Sequence, residues 1–225
     1  MSVGINLVRR LLPLSAAALS LVALAGWIVV SAAPEAPVYG QAPTFALTAQ
    51  DGTMFTADHL RGKAWLASIL FTQCIEACPV LTPWLVKLQQ RLAAEGLLGE
   101  KARMVTFSAD PERDTPEELR TYGERYGADL ATWTFLTGDA ETVRSVIKGG
   151  FKLGVDRVGL ELHRHDDGTE HQHYDVLHST RLVLVDGDGR IRAYYPGLEV
   201  EPEVVARDVR RLVGGWWSLP LPRFG

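Results

Sequence analysis

Basic clusters are absent from this 225-residue chain, and its formal net charge is −4. Neither a block nor a surplus of positive charge is there to grip nucleic acid. Cysteine is almost absent too: Cys74 and Cys78 are the only two, so one disulfide is the most the chain can form. No internal repeat is visible, and the length suits one domain plus an appendage. Apolar and charged fractions of 47% and 22% are those of an ordinary globular protein. Two local absences bear on chemistry. No Arg or Lys occurs between Phe71 and Pro79, and no proline between Asp175 and Asp186.

The appendage is N-terminal. Arg9 and Arg10 precede an uncharged apolar stretch over 11–33. Roughly 20 apolar residues span a bilayer as a helix, whereas a signal-peptide core has about 7–15. The length fits an uncleaved transmembrane anchor at 11–33, although Ser31-Ala32-Ala33 also fits a signal-peptide cleavage site. The paired arginines hold 1–10 in the cytoplasm. The rest of the chain is then expected on the outer side, periplasmic or equivalent, where two cysteines can be oxidised. Residues 34–43, with Pro34 and Pro37, read as a linker.

Residues 44–213 read as one domain, and 214–225 as a tail. Residues 44–48 and 53–56 flank Asp51-Gly52 and predict a hairpin. The run 65–71 is continuously apolar, the pattern of a strand buried on both faces. Val80, Leu81, Trp84, Leu85, Leu88 and Leu92 recur at helical spacing, with Gly96 near the end. A second buried strand over 104–107 runs into Ser108-Ala109-Asp110-Pro111. Asp114-Thr115-Pro116-Glu117-Glu118 then supplies a capping residue, an early proline and first-turn acids for a helix towards Tyr126. A short strand over 133–136 and a helix over 139–147 come next, then a polar, histidine-rich loop over about 156–174. Strands over 181–185 and 191–195 flank Asp186-Gly187-Asp188-Gly189, a hairpin signal, and a last helix covers about 202–213. Strand–helix alternation closed by an antiparallel hairpin predicts an α/β thioredoxin-like sandwich.

Cys74 and Cys78 fall where the first buried strand gives way to a helix, a junction at which α/β folds place their chemistry. Three residues separate the sulfurs, one more than in the Cys-x-x-Cys of thioredoxin-type redox sites. That spacing admits a disulfide or a grip on one metal ion. Thiolates are soft donors that favour Cu(I), and an added imidazole makes a site acceptable to Cu(II). His178, in Leu177-His178-Ser179-Thr180, is placed to supply it, because the loop entering 181–185 faces the cysteine loop in a thioredoxin-like sheet. Two cysteines, a histidine and an open position also suit zinc.

Three motifs together resemble the SCO/SenC family. They are Phe71-Thr72-x-Cys74-x-x-x-Cys78-Pro79, then Ser108-x-Asp110-Pro111-Glu112-Arg113-Asp114-Thr115-Pro116, then His178-Ser179-Thr180 before Leu184-Val185-Asp186-x-Asp188-Gly189. The resemblance runs from about 44 to 213. It implies a thioredoxin-like fold and a membrane-anchored assembly factor for cytochrome c oxidase. It further implies copper held by Cys74, Cys78 and His178, and its delivery to the binuclear copper site of oxidase subunit II. Where that family commonly has proline and aspartate after the first cysteine, this chain has Ile75 and Glu76.

Asp110 ends a strand and is the candidate to support a metal ligand from behind; it also fits a turn-forming Asp-Pro pair. Glu112, Arg113 and Asp114 are expected to build the turn and cap the next helix. His163, His165, His171 and His173 fit a solvated loop, and also a weak capture site for copper. His59 has nothing to recommend it as a ligand, and Trp216 and Trp217 fit either packing on the domain or a membrane interface. Two other activities compete with a metallochaperone. A thiol–disulfide oxidoreductase acting on the oxidase subunit would use the same two cysteines, but that class places a proline where 175–186 has none. A thiol peroxidase would use Cys74 and needs a nearby cation to lower its thiol pKa, which the loop itself does not carry.

Overall fold

A strand that is apolar on both faces must lie inside a sheet with both faces covered, and β4 (Ala64–Leu70) does so, buried at every residue. The computed structural model describes residues 37–75, 77–164 and 170–214, with backbone alone for 157–164, 170–175 and 177. Before β4 come β1 (Gly40–Gln41), β2 (Ala46–Ala49) and β3 (Met54–Thr56). After it come α1 (Cys78–Ala94), β5 (Ala102–Ser108), α2 (Pro116–Tyr126), β6 (Trp133–Thr137) and α3 (Ala140–Arg144), which continues into a π turn over Ser145–Gly150. β7 (Val155–Arg164), β8 (Glu170–His178), β9 (Leu182–Val185), β10 (Arg190–Tyr195) and α4 (Pro202–Val213) complete the described chain.

Eight strands form one sheet in the order β1-β10-β9-β4-β5-β6-β2-β3. β4, β5 and β6 run parallel, joined by α1 and α2 as crossovers, while β9 runs antiparallel to β4. This is the thioredoxin-like sandwich that the strand–helix alternation predicts. Trp65, Ala67, Ile69 and Phe71 join Phe45, Phe107 and Phe151 in one core cluster. The rings meet edge-on, with Phe45 5.2 Å from Phe107 and Trp65 5.9 Å from Phe151. Leu81, Leu85 and Leu88 of α1 are buried, as their helical spacing predicts. Full burial of each such side chain contributes about 1.5–3 kcal/mol.

The antiparallel pairing of β9 decides where the chemistry lies. Ala67 pairs with Val183 and Trp65 with Val185, so the residues entering β9 lie beside the residues leaving β4. The first group includes His178 and the second Cys74.

Two expectations are corrected. Within the polar segment expected as a loop over about 156–174, β7 and β8 form a two-stranded antiparallel ribbon that begins at the pair Val155 and His178. The cap of α2 is Thr115, whose side chain accepts from Glu118 N, and Asp114 turns inward instead. Within the stretch read as a linker, Gly40 and Gln41 pair with Ile191 and Arg190 of β10. The apolar stretch 11–33, Glu76, His165, Trp216 and Trp217 lie outside the described residues. Among the described residues no helix is long and apolar enough to cross a membrane.

Candidate metal centre

Cys78 is the first residue of α1 and is fully buried, while Cys74 is half-buried in the loop before it. No side chain caps this helix from Ala77. The leading backbone N–H groups of a helix have no partner within it, and here Cys78 N donates to Cys74 Sγ at 3.3 Å. The Cys74 sulfur therefore stands where a capping oxygen normally sits, at the end of the helix that favours negative charge. The chain bends back at Phe71, whose carbonyl accepts from Cys74 N at 3.3 Å.

His178 arrives from the end of β8. Its Nδ1 lies 3.1 Å from the Ser179 carbonyl oxygen, and its Nε2 lies 3.7 Å from Cys78 Sγ. A carbonyl only accepts, so Nδ1 carries the proton and Nε2 presents its lone pair to the sulfurs. Ser179 N donates to Gly154 O at 2.9 Å, and the Phe71 ring meets the imidazole edge-on at 5.6 Å. Both contacts fix the ring from behind. Cys74, Cys78 and His178 offer three donor atoms that all lie within 4.8 Å of one another. Burial pushes the Cys78 thiol well above its ordinary range, and the neighbouring Cys74 adds to that. A Cys78 thiol donates to Nε2, and a cation held here would take the place of that proton. Two soft sulfurs and one imidazole on a common centre suit copper in either oxidation state.

The cysteine loop is fastened by two aspartates of the segment after β5. Asp114 is fully buried and accepts from Thr72 N at 3.1 Å, Thr72 Oγ1 at 2.6 Å and Ser108 Oγ at 2.6 Å. It ties the loop to the end of β5. Burial raises its carboxyl pKa, against the lowering effect of the Ser108 and Thr72 hydrogen bonds. Asp110, also fully buried, forms an ion pair with Arg113, and Arg113 Nη1 donates to Gln73 Oε1 at 3.1 Å. Arg113 thus links Asp110 to the loop. A cation does reach the loop through space, which the lack of Arg and Lys between Phe71 and Pro79 does not reveal. Ile75, next to Cys74, is 88% exposed. His59 lies apart, with Nδ1 3.0 Å from Thr56 N and its ring stacked on Phe55.

The family model described as SCO1/SenC matches residues 34–214. The chain belongs to the SCO1/SenC family. Among its relatives, the SCO1 protein homolog of Bacillus subtilis (strain 168) is 30% identical over 167 residues, covering 74% of this chain and 79% of the relative. ScoI of Bradyrhizobium japonicum, solved with copper bound, is 26% identical with a TM-score of 0.62, covering 76% of this chain and 99% of that one. BsSco, described as a member of the Sco family of cytochrome c oxidase assembly proteins with a disulfide switch, is 26% identical with a TM-score of 0.62. That match covers 80% of this chain and 98% of BsSco.

Proposed function

We propose that this protein is a membrane-anchored copper metallochaperone that serves cytochrome c oxidase. Copper is held by Cys74, Cys78 and His178 and passes by ligand exchange to the thiolates of the binuclear site in subunit II. The observation that carries this reading is the convergence of three donor atoms within 4.8 Å, from two chain segments at one end of the sheet. Three protein ligands leave a position that an incoming thiolate can attack, and the half-buried Cys74 is the ligand on the accessible side. The apolar stretch 11–33 supports an anchor, with the domain on the outer side. A copper-bound relative supports the choice of metal, and membership of a family with oxidase assembly proteins supports the recipient. Mixing the Cu(I)-loaded chain with metal-free subunit II tests it: copper moves to the subunit, and Cys74→Ser abolishes the transfer. Retention of copper by the loaded chain at equilibrium overturns it.

A second reading is favoured by one observation: the two cysteines are not joined in a disulfide, and Cys78 N reaches Cys74 Sγ at 3.3 Å. Such a pair can reduce the oxidase subunit's disulfide, forming its own in exchange. Burial argues for metal as the main role, because the thiol that faces His178, Cys78, is the inaccessible one, whereas an attacking thiol must be reached by its substrate.

A further inference from the structure

Three segments around the copper centre hold apolar side chains out in water. On the cysteine loop, Ile75 is exposed beside Cys74. Along the first two turns of α1, Pro79, Val80 and Pro83 are exposed, Val80 to 57%. Their spacing puts all three on one side of the helix. The third segment is the turn Gly197–Glu199, whose Leu198 is 40% exposed. This turn packs on α1, and a Cβ on its Gly197 would meet the carbonyl of Thr180, two residues beyond His178. Trp84 Nε1 donates to Val200 O at 3.1 Å and ties the helix to the end of the turn. Charge is scarce here: Glu76 is the single charged residue between Phe71 and Lys87.

Given the chaperone role proposed above, on which this step rests, we infer that these side chains form the docking surface for the copper recipient. The recipient is a protein whose own thiolates are set in an apolar, uncharged face. Metal–thiolate bonds are about 2.3 Å long, so its sulfur must come to that distance from an ion held by Cys74. A specific interface covers about 800 Å² on each partner, far more than one sulfur occupies. A recipient seated on Cys74 therefore also covers Ile75, the start of α1 and Leu198. Interface centres are apolar within a polar rim, and Gln73 with Arg113 supplies polar groups at the margin. A charge on the recipient facing Val80 would lose its water and gain no counter-ion from 77–86, which carries none. Copper stays Cu(I) throughout. Each copper–sulfur bond formed on the recipient replaces one broken here, and the proton its thiol releases is matched by one taken up by the departing cysteine.

The test compares the full chain, loaded with one equivalent of Cu(I), with a variant combining Ile75→Ser, Val80→Ser and Leu198→Ser. Transfer to metal-free, reduced oxidase subunit II is timed by stopped flow, alongside copper removal by the small chelator bathocuproine disulfonate, which needs no docking surface. The triple variant is expected to transfer to the subunit at least tenfold more slowly, while its Cu(I) affinity and its rate of loss to the chelator match wild type. Met54→Ser, at an exposed position on the edge strand β3, leaves both rates unchanged. Transfer by the triple variant at the wild-type rate overturns the docking surface alone, as does an equal slowing by Met54→Ser. Loss to the chelator that changes in the same proportion as transfer also overturns it, because the centre itself is then altered. No transfer from the wild-type chain overturns the chaperone role and the surface with it.

Discussion

Cys78 Sγ lies 3.7 Å from His178 Nε2, although 100 residues separate them in the chain. The contact arises from two sequence-local facts. A helix begins at Cys78 directly after the central strand, and an antiparallel neighbour of that strand begins just after His178. Substituting the histidine leaves both sulfurs in place. His178→Ala is expected to weaken Cu(II) by about 100-fold or more, beyond the 10–100-fold typical of losing a group behind a ligand. Cu(I) affinity falls much less, because the softer ion is satisfied by thiolates. Competition titrations in both oxidation states check this, and equal losses in the two states count against the imidazole as a ligand.

Only one cysteine pair exists, so oxidation consumes both thiolates together. A Cys74–Cys78 disulfide is expected to abolish tight copper binding, and dithiothreitol to restore it. A disulfide needs Cα atoms about 4.4–6.8 Å apart, a separation that a bent loop across this spacing can reach. Mass spectrometry of the oxidised chain checks for an intramolecular bridge. Tight Cu(I) binding by the bridged form is the contrary result.

Gly197 has a left-handed φ of +58°, and a Cβ there would run into the Thr180 carbonyl oxygen. Thr180 lies two residues after His178, so Gly197→Ala must push the histidine loop aside. A loss of about 1–3 kcal/mol in stability is expected from overpacking, together with weaker Cu(II) binding. Gly52→Ala is the control: its φ is +82°, but a Cβ there meets nothing within 4 Å. It is expected to lose stability and leave copper binding unchanged.

Asp114 links stability to pH. Its carboxyl pKa is raised by burial above the ordinary 3.8, so above that pH the native state keeps a proton that the unfolded state has released. Stability therefore declines as pH rises from about 3.8 through the folded-state value. Asp114→Asn lacks this ionisation, and its advantage over wild type should grow across that window in urea unfolding. Asp114→Ala leaves the Thr72 and Ser108 donors without their acceptor and is expected to cost about 2–3 kcal/mol below the window, a deficit that shrinks across it as wild type declines. A wild-type stability that rises relative to Asp114→Asn through the window contradicts the assignment.

Continuous apolar runs such as 65–71 have one stable location, the interior of a covered sheet, so the central strands and the cysteine junction were legible directly. His178 was legible because the antiparallel β9 constrains what precedes it. The role of Asp114 was not. Asp110 and Asp114 lie in one Asp-Pro-Glu-Arg-Asp string, and the turn geometry, with Asp114 N donating to Asp110 O at 2.9 Å, decides which carboxylate meets Thr72. The β7–β8 ribbon was hidden for another reason. Its residues from Glu161 to Gln172 carry almost no apolar alternation, which is the signal by which a half-buried strand is recognised.

The central claim is that Cys74, Cys78 and His178 form one copper centre. X-ray absorption at the copper edge, on the full chain loaded with a single equivalent of Cu(I), measures it most directly. Two sulfur scatterers and one imidazole nitrogen are expected, the second sulfur vanishing in Cys78→Ser and the nitrogen in His178→Ala. A coordination shell of nitrogen and oxygen alone, unchanged by Cys78→Ser, would contradict it.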